Sequence, residues 1–170
     1  IFLSHSAFAF RAMHIGRHGQ DAESDRLYPL SFAYPQLTRG NNLDNTQTYA
    51  NENDQAYSIS QIFGSRIFVA NIEWRLPFTG PERLSLIKSK LFFTELALFA
   101  DAGIAWNSAS KPVLTWTPES PEDRVPFVST GISLRLNLFG QIVIEPYYAL
   151  PWRGDGFARG QFGVNFTPGW

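Results

Sequence analysis

Between Phe127 and Leu138 the chain alternates without exception. Val128, Thr130, Ile132, Leu134, Leu136 and Leu138 fall on one face, and Ser129, Gly131, Ser133, Arg135 and Asn137 on the other. A period of two is that of an extended strand with one apolar side. Only Phe139-Gly140 separates this run from a second, in which Ile142, Ile144, Pro146, Tyr148, Leu150 and Trp152 oppose Gln141, Val143, Glu145, Tyr147 and Ala149. The glycine predicts a tight hairpin turn between them.

The same pattern predicts strands over about 63–76, 91–106 and 161–170, and a weaker one over about 2–15. In 63–76 the row Phe68, Ala70, Ile72, Trp74, Leu76 opposes Ser65, Ile67, Val69, Asn71, Glu73 and Arg75. In 91–106, Leu96, Leu98, Ala100, Ala102, Ile104 and Trp106 oppose Glu95, Ala97, Phe99, Asp101 and Gly103. Phe162, Val164, Phe166, Pro168 and Trp170 share the apolar face of the last segment, as do Phe8, Phe10 and Ala12 in the first, opposite Arg11.

With 127–138 and 141–152 this makes about six strands of roughly 10 to 14 residues, longer than the usual soluble strand and long enough for a tilted bilayer crossing. The connections run long (about 16–60), moderate (77–90), long (107–126), a two-residue turn (139–140) and then Arg153 to Arg159, an asymmetry that membrane barrels show. A C-terminus in the periplasm would put the long loops outside. Alternation alone also suits a soluble sandwich or a lipocalin-like barrel. Trp74, Trp106, Trp152 and Trp170, closing the apolar faces at strand ends, favour lipid on that side, because amphipathic rings prefer the interface.

Composition excludes other classes. No apolar run reaches the roughly 18 to 20 residues of a membrane-spanning helix. A formal charge of -1 gives no electrostatic reason to expect nucleic acid as partner. The absence of cysteine removes disulfides and thiolate metal sites. No Gly-x-Ser-x-Gly elbow, phosphate-cradling glycine loop or His-Glu-x-x-His pair occurs, so catalysis has no candidate and no cofactor is expected. His14 and His18, four apart on a strand running into a loop, do not converge on a metal. Asn51 to Asp54 and Glu119 to Asp123 lack a calcium-loop spacing. The Asn- and Gln-rich stretch 41–56 reads as mobile or held by partner contacts. The opening Ile1-Phe2-Leu3-Ser4-His5 has no initiator Met, basic segment or cleavage site, so the chain is expected to begin mid-protein.

Four motifs stand in order along nearly the whole chain. Leu37-Thr38-Arg39-Gly40-Asn41 lies in the long loop after the first strand. Gly64-Ser65-Arg66 leads to Asn71-Ile72-Glu73-Trp74-Arg75-Leu76-Pro77, and Phe99-Ala100-Asp101-Ala102-Gly103-Ile104-Ala105-Trp106 follows. Phe162-Gly163-Val164-Asn165-Phe166-Thr167-Pro168-Gly169-Trp170 ends the sequence. Together they resemble the C-terminal half of the bacterial surface antigen family, the outer-membrane barrels that assemble or translocate proteins. Asn41 stands where the family's loop motif has an aromatic, and Thr38 where it has an aliphatic residue.

The resemblance implies an all-β fold: an antiparallel transmembrane β-barrel of about sixteen strands, of which these form the C-terminal portion, with the long loop folded into the lumen. It implies a bacterial outer-membrane location and a role in inserting or translocating proteins by seam opening and strand pairing rather than catalysis. Partners would be outer-membrane lipid, upstream barrel strands and a periplasmic domain of the same protein, client outer-membrane proteins and accessory lipoproteins. A structural or pore-forming barrel, or the anchor of an enzyme, would share the architecture.

The resemblance also assigns residues. Arg39 and Gly40 form the loop tip, Glu73 and Asp101 its anchors. Phe162, Val164, Phe166 and Trp170 form the terminal insertion signal and seam strand. A guanidinium carried into a lumen loses hydration and is costly unless planar acceptors meet its fork of donors. Gly103 and Gly131 on the polar faces leave room for an approaching loop or another backbone, and equally suit a bend in the sheet. Gly163, Pro168 and Gly169 are poor ladder formers, which suits the opening that the family's seam is proposed to undergo when a client strand adds.

Overall fold

A computed structural model describes residues 5–42, 57–83, 85–89, 93–120, 122–138, 141–154 and 156–168. The stretch 43–56, with Asn51 to Asp54, the turn residues Phe139 and Gly140, and Trp170 lie outside the described residues. The strands are β1 (Ala7–Gly16), β2 (Leu30–Ser31), β3 (Phe63–Gly64), β4 (Arg66–Gly80), β5 (Ile87–Lys88), β6 (Phe93–Trp106), β7 (Phe127–Leu138), β8 (Ile142–Trp152) and β9 (Gln161–Pro168). A 3-10 turn at Ile59–Ile62 precedes β3. No helix among the described residues is long and apolar enough to cross a membrane.

The six long strands form one antiparallel sheet in the order β1-β4-β6-β7-β8-β9, so each lies beside the long strand before it in the chain. The sheet is open, with β1 and β9 as its edges. β7 spans the run whose alternation is unbroken. β4 continues to Gly80, past the expected end near 76, through a register shift between Pro77 and Thr79, and β5 pairs parallel with its extension. Proline has no N–H to give the ladder, which is why a strand carrying it breaks register there. Trp74 consequently sits within β4 rather than at its end, unlike Trp106 and Trp152, which close β6 and β8.

Alternation now becomes two unlike surfaces. Phe10 on β1 and Phe162 on β9 are 75% and 73% exposed, while Asp101 on β6 and Glu145 on β8 are 1% and 4% exposed. Ile72, Leu98, Ile132, Tyr148 and Phe166 continue the exposed apolar side, and Asn71, Glu73, Ser129, Ser133 and Asn165 the buried polar one. A water-soluble sheet with one wet face shows the reverse order. Exposed apolar area of this extent marks a surface made for something other than water.

The buried side is covered by the long connections. Residues 30–42 run back across the sheet, starting from the β2–β3 pair, where Leu30 meets Gly64 and Ser31 meets Phe63. At this loop end Phe32, Tyr57, Ile62, Ile67, Val69, Val125 and Phe127 form an apolar core. Phe32 and Tyr57 both pack on Phe127, with ring centroids 5.6 and 5.4 Å away. Gly103 is glycine because a Cβ would stand 2.5 Å from the Phe32 ring. The loops are tied to one another: the Tyr57 hydroxyl donates to the Trp116 carbonyl at 2.7 Å, and Arg124 donates to the carbonyls of Ser60 and Phe63. Burial lowers the Arg124 guanidinium from its ordinary pKa against the pull of Glu122. The amide and hydroxyl of Ser108, then the Ser65 hydroxyl, hold the Glu23 carboxyl below the usual carboxylate range.

Phe32 therefore carries the seating of the loop. Phe32→Ala leaves a cavity above Gly103 and costs about 3–5 kcal/mol, the usual range for a buried phenylalanine. Equilibrium unfolding of the folded protein should read this as a fall in midpoint; a midpoint equal to the parent's contradicts the packing described.

Candidate functional site

The ladder register sets the geometry. Arg11 pairs with Asn71, Asn71 with Asp101, and Asp101 with Ser129; one step along, Glu73 pairs with Phe99, Phe99 with Gly131, and Gly131 with Ala149. All of these point to the covered side, because side chains on neighbouring strands at paired positions share a face. Two acids thus stand diagonally across β4 and β6, beside a lane of small residues on β7 and β8.

The loop tip enters that lane. Gly40 has φ of 80°, and a Cβ on it would stand 2.6 Å from that of Ala149, so both conformation and space require glycine. The turn before it is closed by the amides of Leu37 and Thr38, which donate to the Tyr34 carbonyl, and by the Thr38 hydroxyl, which donates to the Phe32 carbonyl at 2.9 Å. Thr38 is thereby buried with its hydroxyl satisfied. Asn41 is also buried and accepts from Arg153 at 3.1 Å, while that guanidinium lies 5.1 Å over the Phe127 ring.

Arg39 reaches three carboxylates. Its backbone amide and Nε donate to Asp101 Oδ2 at 2.9 and 2.8 Å, and Nη2 donates to Asp101 Oδ1 at 2.9 Å. Nη2 also lies 2.8 Å from Glu73 Oε1, and Nη1 donates to Glu145 Oε1 at 2.8 Å. The guanidinium stacks 3.7 Å above the Phe99 ring. Burial opposes its charge, but the hydrogen bonds and charge of Asp101, with the charges of Glu145 and Glu73, more than offset this and raise its pKa. The Ser129 hydroxyl donates to the Arg39 carbonyl, so the backbone is held as well.

A second tier keeps the acids in place. Asn71 donates to Asp101 Oδ1 and to the Leu37 carbonyl, both at 2.8 Å, and accepts from Arg11 Nε at 2.7 Å. Arg11 also donates to the Gln36 carbonyl at 2.7 Å. Glu73 accepts from Arg75 at 2.8 Å and lies 3.4 Å from Arg135. Arg39, Arg75 and Arg135 therefore face three buried carboxylates, with Arg11 behind Asn71. The cavity beside them, about 630 Å³, is lined by both charges.

The structure thus brings together Arg39, Gly40, Glu73 and Asp101, with Gly103 one packing layer away under Phe32. Glu145, Asn71 and Arg11 belong to the same cluster and were not singled out from the sequence. Glu145 carried a signal, being an acid on the polar face of its strand, but its distance from Arg39 depends on register across β6, β7 and β8. Phe162, Val164 and Phe166 lie elsewhere, on the exposed face of β9. Trp74 stacks on Phe8, Trp106 on His14, and Trp152 meets Phe157 edge-on, all half-buried. A scan of family models, a search of curated proteins and a search of solved structures each found no match to this chain.

Removing the guanidinium leaves buried carboxylates uncompensated, at a cost of about 3–5 kcal/mol by the general behaviour of buried ion pairs. In Arg39→Ala residues 30–42 should become susceptible to protease under conditions where the parent is resistant. Arg39→Lys should rescue only in part, because an ammonium cannot make the planar fork to Asp101. A loop as resistant in Arg39→Ala as in the parent contradicts the anchoring role.

Proposed function

We propose that this sheet is one arc of a bacterial outer-membrane β-barrel of the protein-assembly and translocation family, its apolar face toward hydrocarbon and its covered face toward the lumen. The observation that carries the reading is the inverted sheet: aromatic and aliphatic rows exposed, carboxylates and arginines buried beneath a loop that Arg39 pins to the wall. Such a polar interior beside an apolar exterior is the pattern of transmembrane barrels. The two longest connections, between β1 and β4 and between β6 and β7, leave the same end of the sheet; in this reading that end is extracellular and the C-terminus periplasmic. Open edges at β1 and β9 would leave backbone groups unpaired in hydrocarbon, so further strands from the same protein or another chain complete the wall. The protein acts by binding and strand pairing, with no bond chemistry, and its partners are lipid, client barrels and the periplasmic domains that deliver them.

Two measurements on the full-length protein in proteoliposomes test this. These 170 residues contain no cysteine, so, with any cysteine elsewhere in the protein replaced, an environment-sensitive fluorophore can be attached at Ile72→Cys or Ile132→Cys and at Ser129→Cys or Ser133→Cys. Lipids bearing nitroxide on the acyl chain should quench the first pair and spare the second; the opposite pattern overturns the orientation. A client barrel should fold faster with the protein present. Leakage of small solutes with client folding unchanged would instead assign a passive pore.

A further inference from the structure

Glu145 faces two ways. Its Oε1 accepts from Arg39 Nη1 and from the Ser133 hydroxyl, each at 2.8 Å, and its Oε2 lies 3.5 Å from Asn165 Nδ2 on β9. A second route runs beside the first. Arg39 stacks on Phe99, Phe99 meets Tyr147 edge-on at 6.4 Å, and Tyr147 lies across Gly163. A Cβ at Gly163 would stand 2.3 Å from the Tyr147 ring. Both routes end at paired positions of one ladder, since Glu145 pairs with Asn165 and Tyr147 with Gly163.

β9 has few other supports. It pairs only with β8 among the described strands, and Phe162, Val164 and Phe166 on its opposite face are exposed. Gly163 adds no side chain to the ladder and weakens it. On its covered side, Asn165 and Gly163 meet two groups that the Arg39 cluster holds in place: the Glu145 carboxylate and the Tyr147 ring.

We propose that the Arg39 latch sets the register and the stability of the terminal strand, with Glu145 and Tyr147 as the positioning residues that transmit it. When Arg39 is docked, Glu145 is fixed by two donors and presents its other oxygen to Asn165, while Phe99 backs Tyr147 against Gly163. When the loop leaves, Glu145 becomes an uncompensated buried charge and Phe99 loses its cationic cover, so the middle of the β8–β9 ladder loses both supports together. Loop position and seam opening are then two ends of one equilibrium. The significance for clients rests on β9 being the seam strand of the proposed barrel; the coupling itself is a property of this sheet.

Amide hydrogen exchange on the full-length protein separates the two, because it reads the ladder without any client. In Glu145→Gln, exchange of β9 amides should rise about ten- to a hundred-fold, the worth of one hydrogen bond to a charged partner. Residues 30–42 should stay protected there, since Asp101 still grips Arg39. In Arg39→Ala both β9 and the loop should lose protection, and adding Glu145→Gln should deprotect β9 little further. The β1–β4 ladder serves as internal control. Unchanged β9 exchange in Glu145→Gln overturns the proposal, as does an equal rise in β1–β4, which would mean general loosening. A positive exchange result with no effect on client folding would retain the coupling and count against the proposed function.

Discussion

A guanidinium nearly removed from water among three carboxylates is the constraint on which this structure depends. Desolvating such charges is expensive, and their mutual attraction offsets it only where geometry is complete. Here Nε and both terminal nitrogens of Arg39 are engaged, its flat face lies on Phe99, and its own amide and carbonyl are bonded to Asp101 and Ser129. A cluster of this kind contributes modestly to net stability compared with an apolar core, yet leaving it half-formed is costly. It works by selection: of all positions that the loop could take over the sheet, one satisfies every charge.

That selection explains features far along the chain. Gly40 and Ala149 are small because the loop backbone must come close enough for Arg39 to reach the acids. Gly103 is bare because Phe32 must seat above it. Arg11, Asn71, Arg75 and Arg135 surround the carboxylates so that the excess negative charge is shared, which keeps the buried side nearly balanced. The exposed face carries none of this machinery and is predominantly apolar, so the sheet divides its labour by parity.

Parity is also what made the fold legible in the sequence. Where alternation is unbroken, as in β7, the strand and its two faces can be read residue by residue. Where Pro77 interrupts it, the extension of β4 to Gly80 and the pairing of β5 could not be read, because a bulge depends on what the neighbouring strand supplies. Arg39, Glu73 and Asp101 stood out as a loop arginine and two acids on polar faces within recognisable motifs. Glu145 shared the second property only. Its part in the cluster arises from register summed over two ladders, a non-local quantity that no window of sequence contains. The same holds for Arg11, read as an inward residue of a weak strand, whose role appears only once residues 36 and 37 fold back onto it.

The central claim is that Arg39 and Asp101 act as a unit, each costly to lose and neither useful alone. A double-mutant cycle of Arg39→Ala and Asp101→Ala, read through the unfolding free energy of the loop, tests this directly. The account predicts that the double variant is little worse than either single one, with a coupling energy in the upper part of the roughly 0.5–3 kcal/mol seen for contacting residues. Additive losses, with no coupling, would mean that the two side chains stabilise the protein independently and would contradict it.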